Sequence, residues 1–338
     1  MRNPGKAQAG GTILVAGGAG FIGSHLCAAL LDAGANVTCI DNMQTALPSN
    51  LPRLAGRDRF TFIEADITQP LPDAITADPA RWTHIYNLAC AASPPLYQAD
   101  PEHTMLTNVV GTNQLLRLAE QAGARFLLTS TSEVYGDPEV HPQPEDYRGN
   151  VSCTGPRACY DEGKRAAETL TFDYARMNRA DVRVARIFNT YGPQMRMDDG
   201  RVVSNLIVQA LEGAKLTIYG SGAQTRSFCY VADTVDALIR LMDSEMVQPL
   251  PVNIGNQNEI TILELVTAME AVAGRSLDVT YHDLPQDDPQ RRRPDITRAR
   301  NVLGWEPTTP LAAGLRHTYD WFAGELTATA PLSAQRVA

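Results

Sequence analysis

The apolar positions of this chain fall into two alternating spacings. Thr12-Ile13-Leu14-Val15-Ala16 is a continuous apolar run of strand length, and from Phe21 to Leu31 apolar residues recur at helical spacing. Asn36 to Asp41 and Phe60 to Glu64 read as the next strands, with a proline-interrupted loop from Met43 to Asp58 between them. A proline-rich connection, Pro70 to Pro79, precedes a strand at His84 to Leu88. Further strands are predicted at Arg125 to Ser130 and Val182 to Ile187, with long helices over Thr104 to Gln121 and Tyr160 to Met177. Strands and helices in strict alternation with short connections imply an α/β fold, a doubly wound parallel sheet of the Rossmann type. Ligands of such a sheet sit beyond the carboxyl ends of the strands. Thr131, Ser132, Glu133 and Asn189 fall at such ends.

The second half changes character. A helix to Leu211 follows Arg201-Val202-Val203, then come Thr217 to Gly220 and Gln224 to Phe228. Val231 to Met242 and Ile262 to Ala273 read as helices, Val252 to Ile254 as a short strand, and Asp295 to Leu303 and Leu311 to Phe322 close the fold. The expected division is a dinucleotide-binding domain over 11–188, with 231–254 returning to it, a smaller, partly interleaved substrate domain over 189–324, and a frayed tail over 325–338.

Composition narrows the function classes. The 338 residues suffice for two domains or for one large α/β domain with an added lobe. A net charge of -9 without a long basic run argues against a nucleic-acid surface. The densest basic spot, Arg291-Arg292-Arg293, is flanked by Asp287, Asp288 and Asp295, which fits a focused anion site. No segment approaches the ~20 apolar residues of a membrane span, and Met1 to Gly11 has no signal-peptide core. The six cysteines form no CxxC pair and the histidines are dispersed, so free thiols in a reducing cytoplasm and no metal site are expected.

Two stretches carry chemistry. Gly17, Gly20 and Gly23 stand between a strand and a helix, in GxxGxxG spacing. Glycines there let backbone approach a pyrophosphate, while the helix start, with Phe21 and Ile22, offers N–H donors and a positive dipole end. Asp41 closes the next strand, with Asn42 beside it. A carboxylate there accepts both ribose hydroxyls and repels a 2′-phosphate, so NAD is expected rather than NADP. Asp66-Ile67 falls where the adenine would lie, and Leu88-Ala89 offers small backbone beside the cofactor. The other stretch is Tyr160-Asp161-Glu162-Gly163-Lys164, which puts Tyr160 and Lys164 on one helix face a turn apart. An ammonium beside a phenol favours the phenolate and draws it toward use as a base. Gly163, in mid-helix, suggests close approach by a ligand or another backbone. His25, early in the first helix, is expected to be packed rather than catalytic.

GGAGFIG, STSEVYG and YDEGK together resemble the extended short-chain dehydrogenase/reductases that act on nucleotide sugars. STSEVYGDPEVHPQPEDY, GPRACYDEGKRAAET, ARIFNTYGP, DDGRVVSN and DDPQRRRPDI narrow the resemblance to UDP-glucuronate decarboxylases, over nearly everything from Thr12 to Phe322. The resemblance implies decarboxylation of UDP-glucuronate to UDP-xylose through a 4-keto sugar, with bound NAD and a homodimer paired through the helices 104–121 and 160–177. It implies Tyr160 as acid/base on the 4-hydroxyl, Lys164 as its tuning partner, and Thr131 on the 4-oxygen. Glu133 and Arg292, with Ser132 between Thr131 and Glu133, would flank the reacting part of the sugar, Arg292 facing the carboxylate. Asn189, Arg201, Val203, Tyr219, Gln224 and Arg226 would follow the UDP. The chain departs from the pattern at Ala16, usually Thr, at Ser152-Cys153-Thr154, usually Asn-Pro-Ile, and at Met43 to Ser49, where a basic Gly-Arg-Lys sequence is usual.

Competing readings remain at this point. A 4,6-dehydratase wants a carboxylic acid where Ser132 stands. A UDP-glucuronate 4-epimerase would use the same base, and a non-catalytic nucleotide-sugar or NAD-binding protein would need none of it. Arg292 has a bland alternative, pairing with Asp287 or Asp288, and Arg226 has another, as a surface arginine.

Overall fold

In the computed structural model, which describes residues 8–283 and 291–329, seven parallel strands form one sheet. They are β1 (Thr12–Ala16), β2 (Asn36–Asp41), β3 (Phe60–Glu64), β4 (His84–Asn87), β5 (Arg125–Thr131), β6 (Val182–Ile187) and β7 (Pro251–Ile254). Their spatial order is β7-β6-β5-β4-β1-β2-β3. The chain winds away from β1 in both directions, so a crevice opens between β1 and β4 at their carboxyl ends. Ile13, Leu14, Val15 and Ala16 are fully buried, because both faces of a parallel sheet are covered by helices. The helix Val231–Asp243 packs on this sheet, and β7 extends it beside β6.

A second apolar core lies under the other lobe. Leu206, Ile207, Leu216, Ile218, Leu265 and Phe322 meet there from the helices Val202–Glu212, Ile262–Ala273 and Leu311–Thr329 and the strand Leu216–Tyr219. The last helix runs through 325–329, residues the sequence reading placed in a tail.

Three local expectations change. The loop 43–58 contains two helical turns, Pro48–Asn50 and Pro52–Ala55, each with proline in its first turn, where the missing N–H costs nothing. The helix expected from Thr104 begins at Pro101, after Asp100 accepts the His103 N–H at 3.0 Å. It passes through a wide turn, Thr107–Gly111, into Thr112–Ala122. A short helix, Pro94–Ala99, precedes it, and nothing in the apolar spacing announced that element.

One buried polar network ties the long helix Ala158–Arg176 to the sheet. Glu168 accepts from Ser130 Oγ at 2.5 Å and from Arg186 Nε and Nη2 at 2.9 and 2.7 Å. Arg186 also donates to Tyr135 Oη at 3.0 Å, and Tyr135 donates to Asn253 Oδ1 at 2.7 Å. Strands β5, β6 and β7 are thereby locked to one helix. Removing one partner of a buried pair leaves an uncompensated charge. Glu168→Ala is therefore expected to lower unfolding free energy by about 3–5 kcal/mol, read from the shift of the denaturant midpoint. A loss under ~1 kcal/mol would show that the pair does not hold the helix.

Candidate active site

The crevice is one cavity of about 700 Å³ reaching from the glycine turn to the second lobe. Every site residue named from the sequence lines it.

At its dinucleotide end the glycines are required by space. Gly17 has φ +76°, and a Cβ there would lie 2.6 Å from Ala89 N and from Leu88 C. A Cβ on Gly23 would lie 2.1 Å from Gly17 O. The helix Phe21–Asp32 begins at Gly20 with no side-chain cap, which leaves its positive end open to an anion. Asp41 accepts the backbone N–H groups of Ala19 at 3.0 Å and Met43 at 2.9 Å, and burial pushes its pKa up. Burial would push Asp66 up as well. Hydrogen bonds from Thr68, His103 and Asn42 outweigh it and bring Asp66 down to about 2. His103 Nε2 lies 2.7 Å from Asp66, a partner the sequence did not suggest. A cradle that any Cβ would close, an uncapped helix start and a carboxylate at the end of β2 fit a dinucleotide. Uncharged Gln44, Thr45 and Leu47 line the side where a basic loop is usual.

At the sheet edge the helix 158–176 presents Tyr160 and Lys164. Tyr160 stacks on Tyr97 with ring centroids 5.0 Å apart and planes 5° from parallel. Lys164 Nζ stands 5.9 Å from the Tyr160 ring centroid and donates to Thr129 O at 2.9 Å. Burial dominates both groups, raising the phenol well above its usual range and lowering the ammonium, while a Thr131 hydrogen bond opposes the rise at Tyr160. In the protein alone, desolvation sets the direction of the Tyr160 shift, upward. Gly163 is explained by packing: a Cβ there would lie 3.0 Å from Asn108 Nδ2 and 3.2 Å from Asn108 Cβ, on the neighbouring helical segment.

Glu133 sits between two arginines. Arg292 donates to both its oxygens, Nη2 to Oε2 at 2.9 Å, and Arg157 Nη2 reaches Oε2 at 2.9 Å. Burial works against the carboxylate, but the two guanidinium charges keep its pKa below the usual range. Arg292 is therefore held by Glu133; Asp287 and Asp288 lie outside the described residues. The sequence reading missed Arg157. Its position, one turn before Tyr160 on the same helix face, was the available signal.

In the second lobe Arg226 is buried rather than superficial, with Nη1 on Thr225 O at 2.8 Å. Gln224 Nε2 donates to Tyr219 O at 2.6 Å, and Arg201 Nη2 to Asp199 Oδ1 at 3.0 Å. Asn189 and Val203 complete that wall. Ser132 is buried, and Thr131 Oγ1 accepts the Glu133 N–H at 3.2 Å. His25 is packed as expected: its Nε2 lies 3.0 Å from Pro193 O and burial lowers its pKa.

A dinucleotide cradle opening directly onto a Tyr–Lys pair defines an oxidoreductive site of the short-chain dehydrogenase kind, and the same cavity continues into the second lobe. The chain belongs to the NAD dependent epimerase/dehydratase family, whose model matches residues 13–255. Among curated relatives it is 52% identical over 316 residues to UDP-glucuronic acid decarboxylase 5 of Arabidopsis thaliana, covering 93% of this chain and 90% of that protein. It is 51% identical over 314 residues to UDP-glucuronic acid decarboxylase 1 of Danio rerio, covering 93% and 73%. Among solved structures, the UDP-glucuronic acid 4-epimerase of Bacillus cereus, crystallised with UDP-glucuronic acid and NAD, aligns with a TM-score of 0.84 at 30% identity, covering 93% of this chain and 99% of that one.

Gly23→Ala is expected to weaken NAD binding roughly 100-fold or more, about 3 kcal/mol, in a fluorescence titration of folded protein. Wild-type affinity in that variant would show that the cofactor does not use this turn.

Proposed function

We propose that the protein decarboxylates UDP-glucuronate to UDP-xylose and CO2, with NAD bound throughout. The observation that carries this reading is the meeting, in one cavity, of the Thr131-Tyr160-Lys164 set, the Glu133–Arg157–Arg292 cluster and the glycine cradle. The relatives at about 50% identity are named for this activity, and the epimerase neighbour is more distant.

NAD, held by Gly17, Gly20, Gly23, Asp41 and Asn42, supplies a reversible hydride acceptor and a positive charge that favours the phenolate. Tyr160 takes the proton of the sugar 4-hydroxyl as hydride leaves C4. The new carbonyl is β to the carboxylate on C5. When the C5–C6 bond breaks, CO2 leaves and the electron pair moves into that carbonyl. Tyr160 and Thr131 donate hydrogen bonds to the resulting enolate oxygen. C5 then takes a proton from solvent water, the one proton the overall reaction consumes, hydride returns to C4, and Tyr160 gives its proton back to the 4-oxygen. Arg292 and Arg157 orient the carboxylate, with Glu133 fixing their geometry. Arg226 and Arg201 serve the diphosphate, and Asn189, Val203, Tyr219 and Gln224 the rest of the UDP. Ser132, lacking an acidic proton, disfavours the dehydratase reading.

We assign the protein to the cytoplasm as a homodimer. Support for the dimer comes from Leu106 and Val110, exposed one turn apart on the helical segment expected to pair. Among the described residues no helix is long and apolar enough to cross a membrane.

Incubation with UDP-glucuronate and NAD+, followed by product separation, tests the activity. UDP-xylose with CO2 release is expected, UDP-galacturonate would select the epimerase, and no conversion by folded, NAD-loaded protein would select a binding role. Tyr160→Phe is expected to lower kcat by roughly 10²–10⁴-fold while binding UDP-glucuronate nearly as well. Full activity in that variant would remove Tyr160 from the base position.

A further inference from the structure

Arg292 reaches the cavity from a two-residue strand, Arg291–Arg292, at the edge of a three-stranded sheet in the second lobe. Thr225–Ser227 is the central strand of that sheet and Glu259–Thr261 the other edge. Arg292 stands level with Arg226 of the central strand. So short a ladder gives little hold on a side chain that must keep one position. Pro294, two residues on, has no N–H with which to extend the pairing.

Gln143 supplies the missing hold. Its side-chain Oε1 accepts the Arg293 N–H at 2.9 Å, and its backbone N–H donates to Arg293 O at 2.9 Å. Its own carbonyl accepts the Asp295 N–H at 2.9 Å. Three hydrogen bonds to one residue thus bracket the chain directly after Arg292. Gln143 is 1% exposed, and its Nε2 donates to Val140 O at 2.8 Å, which fixes the way its amide points. Asn253 Nδ2 also donates to Gln143 O, at 2.9 Å, while Asn253 Oδ1 accepts from Tyr135. Gln143 is thereby joined to the buried network of Arg186 and Glu168 that anchors the helix of Tyr160. Across the same sheet, His141 Nε2 lies 3.0 Å from Glu259 Oε2. The segment 141–143 therefore grips both edge strands, with Arg226 on the strand between them.

We propose that Gln143 is the positioning residue that sets how Arg292 meets the substrate carboxylate, and so a determinant of selectivity for a uronate over the same sugar nucleotide without its acid group. Gln143 does not line the cavity; it acts through the backbone of residues 293–295. Arg292 is held at two ends. Its guanidinium gives two of its five N–H donors to Glu133, and its backbone is fixed by Gln143 and the strand of Arg226. With the head tied to Glu133, the backbone decides how the arginine is presented to a ligand. A displacement of about 1 Å in such a group is enough to spoil a charge-assisted contact. Removing the Gln143 amide takes away the acceptor of the Arg293 N–H, and the chain after Arg292 must shift to find another. Arg226 is spared, because its strand is also paired on its other side, with Glu259–Thr261.

This inference rests on the proposed substrate, and its test separates the two. NAD-loaded Tyr160→Phe protein, which turns over too slowly to interfere, is titrated calorimetrically with UDP-glucuronate and with UDP-xylose, which lacks the carboxylate. Adding Gln143→Met, similar in length and without the amide, is expected to weaken UDP-glucuronate binding roughly ten-fold and UDP-xylose binding by less than about two-fold. Gln143→Asn, one methylene short of Arg293, should show the same selective loss at roughly three-fold, and it carries the test where Gln143→Met does not fold. In a folded variant, unchanged binding of UDP-glucuronate, or an equal loss of both ligands, would overturn the role of Gln143 and leave the substrate assignment standing. Failure of UDP-glucuronate to bind the Tyr160→Phe protein would sink the substrate assignment and this inference with it.

Discussion

A buried ammonium fixes the working parts of this protein. Lys164 has almost no contact with solvent, yet it must place a positive charge, and it does so by donating to Thr129 O at the carboxyl end of β5. That bond holds the helix 158–176 at one height against the sheet, and with it the position of Tyr160 one turn earlier. Glu168, one turn later, adds a favourable charge and is itself neutralised by Arg186. The sheet, the helix and the proposed acid/base are thus parts of one electrostatic chain, in which Lys164, Glu168 and Arg186 each have a partner within hydrogen-bonding distance.

The same logic shapes the opposite wall of the cavity. Glu133 alone at the end of β5 would be a poorly solvated anion. Arg157 arrives from the start of the helix 158–176 and Arg292 from the second lobe, so Glu133 is neutralised from both sides of the cavity. The result is an ion-paired group, Glu133 with Arg157 and Arg292, whose side chains line the cavity. A uronate substrate differs from a neutral hexose by one charge, and a site of this kind is sensitive to that difference.

The dinucleotide end departs from the resembled pattern in one loop. The loop 43–49 offers no cation. What the structure offers there is the closed glycine turn, the uncapped helix and the Asp66 carboxylate held by His103, Asn42 and Thr68. These groups are preorganised by the protein's own hydrogen bonds, which lowers the entropy that binding must supply.

The strands, the glycine turn, Asp41 and the Tyr160–Lys164 pair were legible because each depends on local spacing. Period-two and period-3.6 patterns, and residues one turn apart, are properties of short windows. The resemblance added the motif residues of the second lobe, and all of them face the cavity. What local spacing could not supply was set by contacts distant in sequence. Arg292 meets Glu133 across 159 positions, and His103 meets Asp66 across 37. The sign of the Tyr160 shift depends on how completely the folded chain removes water from the phenol, and Gly163 answers to Asn108 on another helix. Sequence decided which groups exist and which face of an element they share. Tertiary structure decided which charges meet and how far each is desolvated, because both quantities depend on distances that exist only after the chain has folded.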